Sequence, residues 1–363
     1  MKPRLVVIGP LPPPYHGVTV STSLVLKNPS LSRQFAVEHV DTSDPRSLAN
    51  VARWDAQNII LALRSVQALL RRRPDSSTLV YLPLSQSAPG FFRDSLLIRV
   101  AAMRKAKVAA HLRGSEFRDF YARSPRLLRW WIRSSLARLD SIAVMGRSLR
   151  WVFEGLVPDE RIVVVPNGTP EPAATEVQRN GRKVLFFSNL APRKGVEESL
   201  EAARLVLEEE PSIDFLFVGS PRDEAFECKM RERAAEFDQI RILPAVDLEE
   251  KDRLLASASI LLFPPVEPEG HPRVVLEALA AGLPVVTTNR GAIAETVIDG
   301  ECGFVLEDPV PDQLAARLLT LLRDDDLRTR MGEAARLRYR ERFTQRQADD
   351  RLADWLAEVS ERS

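Results

Sequence analysis

Residues 264–286 read PPVEPEGHPRVVLEALAAGLPVV and predict a helix that lies between two buried strands. Glycine and proline flank the central apolar run on both sides, Gly270 and Pro272 before it and Gly282 and Pro284 after it. Such residues are typical of a helix start and a helix end. The apolar runs Leu261–Phe263 and Pro284–Thr288 predict the strands. Strand, turn, helix and strand in this order are the unit of a parallel α/β sheet.

Two glutamates eight positions apart, Glu269 and Glu277, give this stretch a chemical character. A carboxylate on the turn can accept hydrogen bonds from vicinal hydroxyls, while the amides of the helix N-terminus face a phosphate. A ligand that combines a sugar with a diphosphate would use both features. The alternative is that the pair is incidental, since glutamates at this spacing are common in a chain with 28% charged residues.

Length and composition limit the class of protein. A chain of 363 residues exceeds what one hydrophobic core usually supports, so we expect two domains. Two cysteines, Cys228 and Cys302, make neither a disulfide framework nor a metal cluster, and they fit a reducing cytoplasm. The start, MKPRLVVIGPLPPPYHG, is too short in its apolar run for a secretion signal, and we expect no membrane-spanning segment.

Charge is distributed unevenly along the chain. Residues 1–170 hold 25 basic and 12 acidic residues, although the net charge of the whole chain is only +1. The segment Arg123–Leu139 is a basic amphipathic pattern, with the apolar residues Leu128, Trp131, Ile132, Leu136 and Leu139 on one helical face and Arg126, Arg129 and Arg133 on another. It favours either contact with an anionic membrane surface or an ordinary packing helix with solvated arginines. No nucleic-acid-binding motif accompanies the charge, so we do not expect nucleic acid as a partner.

Short β-rich runs alternate with helical patterns along the chain, which predicts βαβ units and parallel sheets. The predicted strands are Leu5–Gly9, Phe35–Val40, Thr78–Leu82, Val108–Leu112, Ser141–Met145, Ile162–Val165, Val184–Ser188, Phe215–Gly219, Ile240–Leu243, Ile260–Phe263, Pro284–Thr288 and Phe304–Leu306. Predicted helices include Ala56–Arg73, Phe91–Arg104, Val196–Glu209, Glu249–Ala256 and Asp312–Leu322. The proline-rich, polar stretch Gly168–Arg182 is typical of a linker between two domains.

The glutamate pair in its setting, EGHPRVVLEALAAGLPVV, resembles the signature of the retaining glycosyltransferases of family 4, the group 1 transferases. The resemblance is dense from about residue 160 to 307 and is limited to short loops before that. It implies the GT-B fold, two Rossmann-like doubly wound domains that face each other across a cleft. We expect an acceptor-binding domain at 1–170, a nucleotide-sugar-binding domain at 171–340, and a C-terminal helix at 341–363 that packs back on the first domain.

The segment SNLAPRKGVEESLEA resembles the family element whose arginine and lysine bind the pyrophosphate of the donor. Lys194 matches the lysine, whereas Ser188-Asn189 stands where the family has Gly-Arg. The missing charge is then supplied by Arg193, or Asn189 forms a weaker hydrogen bond to a phosphate oxygen. The alternative is that Arg193 and Lys194 are a solvated pair at a helix start.

Three further loops resemble family elements. His16-Gly17 stands where the family has a Gly-Gly pair that contacts the donor phosphate or the acceptor. His111-Leu112-Arg113-Gly114 stands at a strand end where the family has a histidine near the transferred sugar, so His111 or Arg113 is the candidate. A lone strand histidine such as His111 is equally often a satisfied core residue. The loop at Gly291 is expected to turn its amides toward the donor phosphates.

The resemblance implies a metal-independent, retaining glycosyltransferase that uses a nucleotide-diphosphate sugar as donor and needs no cofactor. Lys194 with Arg193 or Asn189 would bind the diphosphate, Glu277 the ribose and Glu269 the sugar hydroxyls, with Gly270, His271 and Pro272 nearby. The expected acceptor is a glycan or lipid-linked hydroxyl in cell-surface polysaccharide or glycoconjugate synthesis, in the cytoplasm or at the inner face of the membrane. Two alternatives stay open: a nucleotide-sugar epimerase, and a non-catalytic subunit that binds sugar or a partner transferase.

Overall fold

A computed structural model describes residues 2–13, 17–44, 55–172 and 181–362 of the chain. It divides into two compact units, one formed by Met1–Pro166 with Arg346–Ser363 and the other by Asn167–Gln345. We call these unit 1 and unit 2. Unit 2 is therefore one continuous piece of chain, whereas unit 1 is completed by residues that follow unit 2.

Unit 1 is built on a six-stranded parallel sheet in the order β2-β1-β3-β4-β5-β6. The strands are β1 (Arg4–Gly9), β2 (Ala36–Asp41), β3 (Thr78–Leu84), β4 (Lys107–Leu112), β5 (Ser141–Val144) and β6 (Ile162–Val164). Helices join them: α1 (Gly17–Lys27), α2 (Pro29–Gln34), α3 (Ala56–Arg71), α4 (Ala88–Met103), α5 (Phe117–Arg123) and α6 (Arg126–Leu136). Short 3₁₀ turns at Arg147–Phe153 and Asp159–Arg161 connect β5 to β6.

Unit 2 repeats this architecture with a parallel sheet in the order β12-β11-β10-β7-β8-β9. Its strands are β7 (Lys183–Phe187), β8 (Asp214–Val218), β9 (Ile240–Leu243), β10 (Ile260–Phe263), β11 (Val285–Thr288) and β12 (Gly303–Leu306). Its helices are α7 (Val196–Glu209), α8 (Glu224–Ala234), α9 (Leu248–Ser257), α10 (Arg273–Ala281), α11 (Ile293–Thr296), α12 (Pro311–Arg323) and α13 (Asp325–Arg342). The predicted α/β fold with two doubly wound sheets is confirmed, and each predicted strand is found within about two residues of its expected bounds.

The last helix, α14 (Gln345–Glu361), belongs to unit 1 from Arg346 onward. Its buried residues Leu352, Trp355, Leu356 and Val359 join the core formed by alternate residues of the sheet, among them Leu5, Val7, Tyr81 and Ala143. The indole Nε1 of Trp355 also donates a hydrogen bond to the Ser141 hydroxyl at 2.9 Å. The helix thus buries one face of the unit 1 sheet that would otherwise be open to water.

Within unit 2, the residues that enter and leave the unit are joined by hydrogen bonds. The Thr169 amide donates to the Phe343 carbonyl at 3.0 Å, and the Thr169 carbonyl accepts from the Gln345 amide at 2.8 Å. The Tyr339 hydroxyl donates to the same Thr169 carbonyl at 3.1 Å. The segments by which the chain enters and leaves unit 2 therefore lie side by side.

The segment Arg123–Leu139, predicted as a basic amphipathic helix, forms the end of α5, all of α6 and the turn that follows. Its predicted apolar face packs inward, since Ile132, Leu136 and Leu139 are buried and Trp131 donates from Nε1 to the Ser95 hydroxyl at 2.8 Å. That face is a packing face. Two other apolar side chains, Leu127 and Trp130, lie exposed among the arginines.

Among the described residues, we find no helix whose length and apolar character would let it cross a lipid bilayer.

Candidate functional site

The candidate site lies in unit 2, where two strand-to-helix corners meet. The first corner follows β7 and forms a short 3₁₀ turn at Pro192–Lys194, and Gly195 then starts α7 in the left-handed conformation with a φ of 74°. A Cβ on Gly195 would lie 1.9 Å from the Pro264 carbonyl oxygen of the second corner. Only glycine fits this position, because it combines a positive φ with a backbone contact. The corners are therefore packed directly against each other.

Backbone hydrogen bonds hold these corners together. The Arg193 carbonyl accepts from the amides of Val266 at 3.1 Å and Glu267 at 3.3 Å. Since the carbonyl is fixed in this way, the side chains of Arg193 and Lys194 start from a defined position beside the Glu269 turn. No sequence motif predicts these backbone hydrogen bonds, because they join residues that are distant in the chain.

The loop after β11 supports the Glu269 turn from another side. Gly291 has a φ of 60°, and a Cβ there would lie 1.6 Å from the Glu269 carbonyl oxygen. The Ala292 amide donates to the Gly270 carbonyl at 3.0 Å. Gly291 therefore holds the Glu269 turn in place, and the contact of its amides with donor phosphates stays a prediction.

Lys194 and Glu269 form an ion pair between the ammonium group and one carboxylate oxygen. The two side chains are only 13% and 14% exposed. A partly buried pair needs both members, because removal of one leaves a charge in a poorly solvated place. The lysine and the glutamate that the sequence assigned to a diphosphate and a sugar are thus adjacent.

The second glutamate of the motif is also paired. Glu277, on α10, accepts a hydrogen bond at 2.6 Å from Lys251 on α9, and these side chains are 17% and 14% exposed. The sequence does not mark Lys251 as a site residue, since a lysine in a charged helix carries no signal of its own. The structure adds it to the candidate site.

The helices that begin at these corners are not capped by side chains. Among the described residues, the N-cap residues of α7 and α10, Gly195 and Pro272, provide no side-chain cap. In the same unit, Asp223 caps α8 and Asp247 caps α9 through hydrogen bonds at 2.9 Å, whereas α11 and α12, like α7 and α10, have no side-chain cap. Uncapped first turns beside Lys194 leave amides and the positive helix end for an anionic ligand.

His271 lies within the turn that leads into α10, and it is 4% exposed. Its Nδ1 accepts from the Asn167 amide at 3.0 Å, so the ring proton is on Nε2, which lies 2.9 Å from the Thr296 hydroxyl. The Asn167 side chain returns a bond to the His271 carbonyl at 2.8 Å. With both ring nitrogens engaged, the imidazole holds the turn in place, and Gly270 and Pro272 flank it there.

Asn189, in the position where the family has an arginine, follows β7 and is exposed. The preceding carbonyl, that of Ser188, would lie 1.8 Å from a Cβ on Gly219, so the turn packs closely on the end of β8. The amide side chain is accessible to a ligand.

In unit 1, His111 and Arg113 occupy different environments. His111 is fully buried, and its Nδ1 lies 3.2 Å from the Tyr81 hydroxyl. Burial, assisted by the positive charge of Arg113, holds the pKa of the imidazole well below its usual value. Arg113 donates to the same Tyr81 hydroxyl at 2.9 Å, so Tyr81 can in turn donate to His111. As placed, the His111 ring offers no surface to a ligand, and Arg113 does.

Arg113 lines a cavity of about 300 Å³ at the carboxyl edge of the unit 1 sheet. Its lining comes from the ends of four strands: Pro10 follows β1, Thr42 follows β2, Ser85 and Gln86 follow β3, and Arg113 follows β4. Arg93 also lines the cavity and is paired at 2.8 Å with the buried Asp94, whose second oxygen accepts from the Ser85 amide at 2.8 Å. Neither Arg93 nor Gln86 was predicted, because no motif marks them.

The remaining predicted loop residues are Gly17 and His16. Gly17 begins α1 and is exposed, and a Cβ there would meet no atom within 4 Å. A larger residue would fit, so this glycine is not required by packing. His16 lies outside the described residues. Among the residues that the structure describes, no three His, Cys, Asp or Glu side chains come together in a way that could hold a metal ion.

Most of the second unit is similar to a known protein family. Residues 169–338 match the family model described as "Glycosyl transferases group 1". A phosphatidyl-myo-inositol mannosyltransferase from Mycolicibacterium smegmatis is 32% identical over 198 residues, which are 52% of this chain and 50% of that protein. Spore coat protein SA of Bacillus subtilis is 30% identical over 174 residues, 46% of each protein. The chain spans about half the length of the curated relatives it matches.

The fold is also found in solved structures. HepE from Anabaena, in complex with UDP and glucose, superimposes with a TM-score of 0.76 over 98% of this chain and 99% of that one, at 16% identity. TarM of S. aureus superimposes with a TM-score of 0.68 over 83% of this chain and 58% of that one, at 17% identity. At such identities the likeness concerns the fold.

Proposed function

We propose that the chain is a group 1 glycosyl transferase, the family whose model residues 169–338 match, and that it transfers a sugar from a nucleoside-diphosphate sugar to an acceptor hydroxyl. One observation carries the proposal: the Lys194–Glu269 pair lies beside the uncapped first turns of α7 and α10. Positive groups for a diphosphate and a carboxylate for sugar hydroxyls are thereby combined in one place.

Each side chain of the site has a proposed role in donor binding. Lys194, with Arg193 or Asn189, neutralises the diphosphate, and the first-turn amides of α7 and α10 add to it. Glu277 accepts hydrogen bonds from the ribose hydroxyls, and Glu269 accepts them from the sugar. Gly270, Pro272 and Gly291 contribute through their backbone. The side chain of His271 supports the turn.

We propose that unit 1 receives the acceptor, a glycan or lipid-linked hydroxyl, in the cavity that Arg113 lines. The hydroxyl attacks the anomeric carbon on the face from which the diphosphate departs, so the configuration is retained, and the hydroxyl proton passes to the departing diphosphate. Lys194 and the helix amides balance the developing charge on the leaving group, which is why the proposed reaction is metal-independent. The setting that fits is cell-surface polysaccharide or glycoconjugate synthesis at the inner face of the membrane.

Isothermal titration with UDP, GDP, ADP and their sugars tests donor binding. One nucleotide is expected to bind, and Glu277→Ala is expected to weaken its binding by about 1.5–3 kcal/mol, the value of a hydrogen bond to a charged group. Glu249→Ala, at a side chain 77% exposed on α9, is the matched control and should bind normally. Binding of no nucleotide, or equal loss in both variants, would contradict the proposal.

Lys194→Ala tests whether this lysine takes part in the transfer reaction. Loss of one group that stabilises charge in a transition state typically lowers kcat by about 10²–10³-fold. Lys229→Ala, at an exposed ion pair with Glu197 in the same unit, should leave transfer unchanged. Full transfer by the Lys194→Ala protein would remove this lysine from the reaction.

A second candidate function, a non-catalytic sugar-binding or partner subunit, is favoured by Asn189 in place of the family arginine. Such a protein would bind the donor without transferring its sugar. A rise of transfer from zero in Asn189→Arg would favour this candidate. Measurable transfer by the unchanged protein would rule this candidate out.

A further inference from the structure

Unit 1 exposes apolar side chains on two neighbouring helices. On α3, Ile59, Ile60 and Leu63 are 45%, 47% and 57% exposed. On α6, Leu127 and Trp130 are 77% and 61% exposed. Scattered single apolar residues need no explanation, but groups of them within two helical turns indicate a surface that meets something other than water.

The two groups belong to one layer of the molecule. Helix α4 packs against both α3 and α6, so the three helices are neighbours on the sheet. Connecting helices run antiparallel to the strands of a parallel sheet, and both apolar groups lie in the N-terminal half of their helix. They are therefore near the carboxyl edge of the sheet, where the cavity opens. Asn58 and Leu61, beside Ile59 and Ile60 on α3, line that cavity.

Trp130 and Trp131 show that the outward position is specific. Trp131 is fixed to unit 1 by its hydrogen bond to Ser95, and the Arg99 guanidinium lies 3.7 Å from the centre of its ring. Trp130, the preceding residue, is 61% exposed and is turned outward. The helix thus uses one tryptophan for packing and presents the other.

The charge around these apolar groups is positive. Arg64 and Arg126, next to Leu63 and Leu127, are exposed, and residues 56–74 and 120–139 contain no acidic residue, with Asp55 and Asp119 directly before these ranges. Within the described part of the chain, these two arginines form no ion pair. Apolar side chains among uncompensated arginines complement the surface of an anionic bilayer, in which the apolar groups enter the acyl region and the arginines meet phosphate.

We propose that this face of α3 and α6 docks on an anionic lipid bilayer, and that it brings the cavity mouth to the membrane surface. The occupant is the bilayer itself. Docking goes beyond the proposed function, because it needs no donor. That the acceptor is held in the bilayer by a lipid, with its head group reaching the cavity, follows from docking and rests on the proposed function.

Vesicle flotation tests docking with the full chain and no nucleotide. The protein is expected to float with vesicles of phosphatidylcholine and phosphatidylglycerol, not with phosphatidylcholine alone, and to be released by high salt. Leu63→Ser and Trp130→Ser should each lower the partition coefficient roughly tenfold, the effect of one inserted apolar side chain. Leu248→Ser and Leu337→Ser, at side chains 71% and 58% exposed in unit 2, are the matched controls and should bind as the unchanged protein does.

Three results would overturn the proposal: no binding to the mixed vesicles, equal losses in all four variants, or undiminished binding of Leu63→Ser and Trp130→Ser. A dimer in light scattering that Leu63→Ser dissociates would also overturn it, since a second copy of the chain would then cover the face. Titration of the Leu63→Ser protein with nucleotides keeps the two proposals apart. Normal nucleotide binding by this variant with lost flotation supports both proposals, whereas flotation of the unchanged protein without any nucleotide binding contradicts the proposed function alone.

Discussion

At the scale of single residues, the geometry of the candidate site depends on two glycines as much as on its charged side chains. Gly195 and Gly291 have positive φ angles, and each leaves space for a backbone carbonyl of the neighbouring turn. These glycines bring the Lys194 and Glu269 corners close enough for the ion pair to form. The catalytic geometry that we propose is therefore set by packing of backbone on backbone.

Gly291→Ala is expected to weaken donor binding and to destabilise the fold by more than about 2 kcal/mol. A left-handed residue with a side chain alone costs about 1–2 kcal/mol, and the Cβ would in addition collide with the Glu269 carbonyl oxygen. Gly300→Ala is the matched control, because Gly300 has a φ of 75° and open space around it. Chemical denaturation and nucleotide titration of both variants measure the difference. Equal destabilisation would mean that the collision is relieved without cost.

The buried His111 gives unit 1 a dependence on pH. Its folded pKa is lowered, so the unfolded chain takes up a proton first as the pH falls through about 6.5. The contribution of neutral His111 to the free energy of unfolding is fully present above that pH. Below it, the free energy of unfolding should decrease by up to about 1.4 kcal/mol per pH unit. His111→Gln should remove this slope between about pH 6.5 and 5. Thermal unfolding over this range measures it, and equal slopes in both proteins would contradict the prediction.

At the scale of helices and strands, the site combines capped and uncapped helix starts. Asp223 and Asp247 cap α8 and α9, and α9 carries Lys251, the partner of Glu277. The helices that begin at the site, α7 and α10, thus have no side-chain cap. The helix that carries Lys251, α9, is capped by the Asp247 side chain.

Asp247→Ala and Asp223→Ala form a matched pair of cap removals. Each is expected to cost about 1 kcal/mol of stability, because each leaves a first-turn amide without its acceptor. Only Asp247→Ala should also weaken nucleotide binding, since only α9 holds Lys251 against Glu277. Denaturation midpoints and titration calorimetry provide the two readouts. Equal nucleotide affinity in the two variants would show that α9 does not position Glu277.

Elements with a strong apolar pattern were predictable from the sequence, whereas long-range partners were not. The strands and α10 follow from apolar runs and from the glycines and prolines that end them. Helix α13 was not anticipated, because its 18 residues are mostly charged and bury only Met331, Gly332, Ala335 and Tyr339. The Glu269 turn and Lys194 were identified from local motifs, but the partners Lys251 and Tyr81 come from distant segments that no local pattern connects.

At the scale of the whole molecule, the two units carry different charges and have different continuity. The basic excess of residues 1–170 lies in unit 1, with the proposed membrane face, whereas the candidate donor site lies in unit 2. Helix α14 ties the end of the described chain to unit 1. The core of unit 1 therefore depends on a helix that is far away in sequence.

Trp355→Ala tests this dependence. The side chain is 3% exposed, and removal of a buried aromatic residue costs about 3–5 kcal/mol. Unit 1 should unfold at lower temperature, while nucleotide binding by unit 2 persists. Trp151→Ala, at a side chain 48% exposed in the same unit, should change little. An unchanged melting temperature for Trp355→Ala would mean that α14 contributes little to the unit.

The interruption of unit 1 by unit 2 also orders events on the ribosome. Residues 167–345 emerge as one uninterrupted piece and can fold as soon as they leave the exit tunnel. The strands of unit 1 are made earlier but wait for the helix that covers Leu5, Val7 and Tyr81, which is translated after all of unit 2. During that interval an apolar sheet face is open to chaperones and to other nascent chains. The strands of unit 1 are thus translated first, but the unit completes its folding last.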